Sequence, residues 1–306
     1  MKRIPLNYVA WLIAVLCMFS LHTITRAQEK ACVFNESSLS FTGSPLDQAK
    51  CLLRPVKMYA HLGVQLDELP PPLEAIIGQA VSIEKSQFRQ YLLNNNISES
   101  DIGGSISEPL SRAHNNTHTD YAKYLVIHDT STPYYGDKRF EEDQPFPANI
   151  NDKTWKWNDL QKRWAANKNA HLFINRVGES ITNHDFKTPW RATKFEMSVP
   201  EKKARGLFLH IELIQPRSRD PKGGSKNDAI APKPGFPDAQ LERLALVYIA
   251  ASIRGGQWMI PAFHCALDAG IPDAHDDPQN FDLNQWASKI NTLVRSIQAI
   301  ETTNKE

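Results

Sequence analysis

Gly206-Leu-Phe-Leu-His-Ile-Glu-Leu-Ile214 is the clearest strand in the chain, apolar on both faces and broken only by His210 and Glu212. Residues two apart in a strand share a face, so this pair points the same way. A carboxylate inside such a run is costly to bury unless it is paired or functional. Glu212 is therefore either salt-bridged to an arginine such as Arg217 or part of a reactive site.

Other segments fall into place around this strand. Tyr124-Leu-Val-Ile127 is a short apolar run ending on His128, and His171-Leu-Phe-Ile174 is another. The turn signal Asn175-Arg-Val-Gly178 follows, with a further short strand into Ser180-Ile181. Trp155 to Ala166 has helical spacing. Pro237-Asp238 opens a helix to about Arg254, with Leu241, Leu244, Ala245, Tyr248 and Ala251 on one stripe and Gly255-Gly256 as its end. Asp282 can cap a last amphipathic helix carrying Leu283, Trp286, Ile290 and Leu293. The alternation predicts an α/β fold, a central sheet covered by helices. His128 then sits at the C-terminal end of a strand, where open α/β sheets bind ligands. Gln215 to Gly235, rich in Pro, Gly and Lys, reads as a long loop.

The most polar chemistry lies in Ala262–Pro278, AFHCALDAGIPDAHDDP. Its Gly/Pro-broken course can bend His264, His275, Asp276 and Asp277 toward one point. Two histidines and a carboxylate from separate segments, here with His128 upstream, are a common way to hold catalytic zinc with one position open. No H-E-x-x-H helix is present, which disfavours a zincin-type protease.

The chain has 306 residues, 41% apolar, with a net charge of +1. That suffices for one large domain or one domain plus an appendage, and gives no sign of nucleic-acid binding. Lys2 and Arg3 precede the apolar run Val9–Leu21, too short for a usual membrane span, and Thr25-Arg-Ala27 is a small-x-small cleavage pattern. Residues 1–27 therefore read as a signal peptide, leaving an exported protein, periplasmic or secreted, without a stable span. In an oxidising compartment Cys32 and Cys51 can form a disulfide worth roughly 3 kcal/mol. Cys265 is then buried or near the metal. Residues 28–119 form a small, mostly helical accessory region of unreadable role, ending in a polar Gly/Ser-rich stretch, 94–119, that resembles a linker or surface loop.

From about Tyr121 to Ile297 the chain resembles the type 2 N-acetylmuramoyl-L-alanine amidases, relatives of the peptidoglycan recognition proteins. The matching pieces occur in that family's order: VIHDTST, AHLFINRVGES, PWRATKFE, LHIELIQPR, FPDAQLERLALV and FHCALDAGIPDAHDDPQNFD. The resemblance implies a mixed sheet flanked by helices in a catalytic domain over residues 120–300. It implies Zn2+ held by His128, His264 and Asp277, although a slightly longer segment between the last two ligands leaves Asp276 as an alternative. Glu212 matches the family's catalytic glutamate, and His275 stands where many members have a catalytic lysine. Trp190, Arg191, Thr193 and Lys194 match a substrate groove, and His171 a strand position near the site, where it can touch substrate or serve only as a supporting histidine behind the ligands.

The implied substrate is peptidoglycan or its muropeptides, cut at the amide between N-acetylmuramic acid and L-alanine. Zinc would lower the pKa of a water to about 7. Glu212 would take its proton, and a protonated His275 would donate to the developing oxyanion. Two alternatives stand beside this. One is a recognition protein that binds peptidoglycan without cutting it. The other is a different zinc hydrolase acting on peptides or N-acyl compounds.

Overall fold

The computed structural model describes residues 31–222 and 230–301; the expected signal peptide lies outside them. At its centre is a five-stranded sheet of β1 (Tyr124–Asp129), β2 (Leu172–Ile174), β3 (Ser180–Thr182), β4 (Phe208–Leu213) and β5 (Ile260–Phe263), in the order β3-β2-β4-β1-β5. β2, β4, β1 and β5 run parallel, while β3 is antiparallel to β2. The sheet is thus mixed, as expected. Every residue of β1 is buried, which is why the parallel strands read as continuous apolar runs rather than alternating ones. The β1–β4 register sets Val126 beside His210 and His128 beside Glu212. Partners in a parallel ladder share a face, so His128, His210 and Glu212 project to the same side.

The helices described around the sheet include α1 (Pro45–Leu52), α2 (Lys85–Asn94), α3 (Lys194–Ser198), α4 (Asp238–Gly255), α5 (His264–Leu267) and α6 (Leu283–Gln298). α4 ends where Gly256 adopts φ 72°, the left-handed C-terminal conformation that glycine takes without strain. It is buried almost all round because α6 covers the side turned away from the sheet. Tyr248 of α4 meets Trp286 of α6 at 5.3 Å, and Gln240 Nε2 donates to the Ile174 and Ile214 carbonyls at the ends of β2 and β4. Asp282 caps α6 by accepting from the Gln285 N–H at 2.9 Å. No helix among the described residues is long and apolar enough to cross a membrane.

Two segments differ from their sequence reading. Residues 155–166 form only a 3-10 turn, 156–158, and a short helix, Leu160–Arg163. The Asp159 carboxylate caps the second piece through Lys162 N–H, separating the two. Trp155 and Trp164 are drawn into a small cluster with Phe173, which overrides helical spacing. Residues 94–119 are no surface linker: Ile102, Ile106 and Leu110 are buried. Arg254 holds this stretch from α4, donating to the carbonyls of Gly103, Glu108 and Pro109.

The N-terminal segment joins the same core. Cys32 and Cys51 are disulfide-bonded. Leu39, Phe41, Leu52 and Phe88 pack in one cluster with Tyr124, Phe208 and Trp286. The Tyr124 hydroxyl, at the start of β1, donates to Gln48 Oε1 (2.6 Å) and accepts from Phe41 N–H (3.0 Å). Tyr124→Phe strands both buried groups, at an expected cost of about 1–3 kcal/mol. Urea denaturation should show this as a lower midpoint with an unchanged slope, in a single transition. An unchanged midpoint would mean that the hydroxyl contributes nothing.

Candidate metal centre

The parallel strands deliver their polar residues to one edge. His128 closes β1, and β5 hands the chain to α5, whose first residue is His264. The loop after α5 then brings back Asp277. His128 Nδ1 and His264 Nδ1 are 3.0 Å apart. Asp277 Oδ1 lies 3.0 Å from His264 Nδ1, and Oδ2 lies 3.7 Å from His128 Nδ1. All three residues are buried, and their donor atoms fall within 4.8 Å of one another. Asp276 turns away, with Oδ1 3.6 Å from Arg217 and Oδ2 accepting from Gln279. The loop thus directs Asp277, not Asp276, at the histidines.

A surrounding layer of hydrogen bonds holds these groups. His264 Nε2 donates to Asp268 Oδ2 (3.1 Å), leaving Nδ1 for the site. Asp268 also accepts the first main-chain N–H groups of α3, from Lys194 (3.3 Å) and Phe195 (2.8 Å). His128 Nε2 is 3.0 Å from His210 Nδ1. Asp129 N–H donates to Asp277 Oδ2 (3.1 Å), while the Asp129 carboxylate accepts from Arg217 Nη2 (2.7 Å) and Gln279 N–H (3.2 Å). Arg217 is therefore committed to Asp129, not to Glu212 as one reading of the strand allowed.

Glu212 lines the same cleft of about 470 Å3 as His128, His264 and Asp277. Its Oε2 is sealed from solvent and has no hydrogen-bond partner among the described residues. Burial, followed by the nearby charges of Asp277 and Asp129, pushes its pKa well above the usual carboxylate range. Burial also pushes His128 well below the ordinary histidine value, reinforced by His264 and His210. For His264 burial acts downward, but Asp277 and Asp268 outweigh it and raise the pKa to about 10. Two imidazole nitrogens and a carboxylate thus converge on one small space. A cation there satisfies all three, and the buried N, N, O donor set with Glu212 at its side fits zinc.

The other expected residues are spread around this centre. His275, 57% exposed, stacks on His264 with ring centroids 4.6 Å apart, and its Nδ1 is 3.7 Å from Asp277 Oδ1. Trp190, Arg191, Thr193 and Lys194 line the cleft. Trp190 stacks on His184 (4.0 Å) and donates to the Asn169 carbonyl (3.2 Å). Thr193 caps α3, its hydroxyl accepting from Glu196 N–H, and Lys194 Nζ donates to the Pro272 carbonyl (3.1 Å). His171 does not reach the cleft: it is fully buried behind His210, so direct substrate contact is closed to it. Asp268 and Glu196 were missed as parts of the surroundings. Asp268 was legible as the i+4 neighbour of His264. Glu196 carried only a capping signal, T-x-x-E.

No family model matches the chain, and no curated protein matches it. Among solved structures, the chain is similar to a crystal structure of a selenomethionine AmpD derivative at 18% identity and a TM-score of 0.33, over 62% of this chain and 98% of that one. It is also similar to the Ph2119 endolysin from Thermus scotoductus MAT2119 bacteriophage Ph2119, at 13% identity and a TM-score of 0.29, over 59% of this chain and 92% of that one. At scores this low they carry no weight of their own beside the sheet order and the donor geometry.

The electrostatics set a pH dependence. In metal-free protein the pKa of His264, raised from 6.5 to about 10, gives stability that is whole below pH 6.5 and lost as pH rises toward 10. Glu212, also raised, loses stability in the same direction above its ordinary 4.5. The Tm of metal-free protein is expected to fall between pH 6.5 and 10, and Asp268→Asn to flatten that fall. Excess zinc should reverse the slope over the lower part of this window, because fewer protons then compete for the ligands. Parallel slopes with and without zinc would contradict the assignment.

Proposed function

We propose that this protein is a zinc-dependent hydrolase that cuts the amide between N-acetylmuramic acid and L-alanine in peptidoglycan. The observation that carries the proposal is the buried group of His128, His264 and Asp277, with the unpartnered Glu212 beside it in one open cleft. The substrate class rests on the six ordered sequence motifs that resemble the type 2 amidases. Export to the compartment holding that wall belongs to the same proposal.

Zinc held by the three ligands would supply Lewis acidity and lower the pKa of a water. Glu212 has the character of a general base: desolvated, it takes the proton of the attacking water and returns it to the departing amine. His275, against the outer face of His264, is assigned to donate to the carbonyl oxygen as charge develops there. Trp190, Arg191 and Lys194 form the wall along which the peptide and sugar would lie.

Mass spectrometry of peptidoglycan digested by the zinc-loaded protein tests this. Intact stem peptides with a free L-alanine amino terminus are expected, and His264→Ala should abolish their release. Glu212→Gln should lower kcat by about 10²–10⁴ and, in metal-free protein, lessen the loss of Tm with rising pH, because it removes a carboxyl whose pKa is raised by folding. Digests left unchanged by a folded, zinc-loaded protein would sink the amidase reading and leave a binding protein.

A further inference from the structure

Behind the metal centre stands a buried pair that the hydrolysis above does not use. His210 is fully buried and Glu196 is 3% exposed. His210 Nδ1 lies 3.0 Å from His128 Nε2. His210 Nε2 lies 3.0 Å from Glu196 Oε2, at ion-pair distance but off the line of a good hydrogen bond. Glu196 is anchored: the same Oε2 accepts from Ala192 N–H (3.1 Å), Thr193 N–H (3.2 Å) and Thr193 Oγ1 (3.0 Å) at the cap of α3. His171, stacked on His210 at 5.6 Å, is committed elsewhere. Its Nδ1 accepts the His210 main-chain N–H (3.0 Å) and its Nε2 donates to the Thr188 carbonyl (3.0 Å).

One proton serves the contact between His128 and His210. If it sits on His210 Nδ1, a neutral His128 carries its own proton on Nδ1, and its lone pair is turned away from the metal position. A neutral His210 would then also aim the Nε2 lone pair at the Glu196 carboxylate. If the proton sits on His128 Nε2, His210 Nδ1 accepts it, His210 Nε2–H faces Glu196, and His128 Nδ1 presents its lone pair to the site. A doubly protonated His210 brings back the first arrangement at His128. Only the second arrangement lets His128 bind a metal through Nδ1.

We propose that Glu196, acting through His210, holds His128 in the tautomer with its proton on Nε2 and so directs its Nδ1 lone pair at the metal. Both are positioning residues, and the inference rests on the zinc reading above. Carboxylate–histidine–metal triads act over one link; here the carboxylate acts over two, with a second histidine as the relay.

The test is zinc affinity of the mature chain, measured by competition with a chromophoric chelator. His210→Phe keeps an aromatic ring but removes the acceptor, and is expected to weaken zinc binding by roughly 10–100-fold. His210→Asn, whose amide oxygen can stand where Nδ1 stood, should recover most of that loss. Glu196→Gln keeps an acceptor for the α3 cap without the charge, and is expected to lose about tenfold. The reverse order for the two His210 variants, Phe tolerated and Asn not, would mean that the ring merely fills space and would overturn the relay. Imidazole 15N NMR of the zinc-loaded parent gives a readout that needs no variant to fold. Protons on Nε2 of both His128 and His210 are expected, and a proton on His210 Nδ1 overturns the proposal. A parent that binds zinc while His210→Phe binds it equally well refutes the relay alone. A parent that takes up no zinc refutes the metal centre and the relay with it.

Discussion

The ion pair between Arg217 and Asp129 holds the site together. Arg217 leaves the chain just after β4, and Asp129 ends β1, so their 2.7 Å contact joins the two central strands at the edge where the site is built. Both are buried, and such a pair is stabilising only when its remaining polar atoms are also satisfied. Here they are: Arg217 donates to Gln215 Oε1 and Ser131 Oγ as well. Asp129 in turn fastens the returning loop through Asp277 and Gln279. Cys265 N–H, donating to the Asp277 carbonyl at 2.9 Å, ties the same loop back to α5.

The centre concentrates groups that folding alone disfavours. Glu212 reaches the cleft with its Oε2 sealed and without a hydrogen bond, and three imidazoles, His128, His210 and His171, follow one another into the interior. Departures of this kind from ordinary burial are expected at functional sites, where the surrounding structure sustains them. The surroundings are substantial. The disulfide-linked N-terminal segment covers the start of β1, Arg254 gathers residues 103–109, and α4 with α6 seals the sheet from outside.

Much of this was legible because it rests on local rules. Apolar runs bounded by turn signals mark β1, β2 and β4. Pro237, Gly256 and Asp282 mark helix ends through their backbone preferences and a single side-chain bond. Where tertiary contacts compete with local ones, the reading failed. Trp155 and Trp164 gave up a regular helix to bury in a separate cluster, and the polar Gly/Ser stretch at 94–119 is held inside by a guanidinium more than a hundred residues away. His171 shows the same limit, since a matching strand position says nothing about how many rings lie between a residue and the cleft.

The sequence by itself determined the α/β alternation and the residue types of the centre: histidines ending or following apolar strands, a carboxylate inside one, and aspartates on a broken loop. These are matters of periodicity and backbone freedom, and they act over a few residues. Only the tertiary structure decided which of them meet. Parallel pairing of β1 with β4 and β5 brings together residues 128, 212 and 264, and Arg217 and Asp129 choose Asp277 over Asp276. The alignment of Glu196, His210 and His128 belongs to that level too. It depends on distances across three chain segments, and no local pattern encodes them.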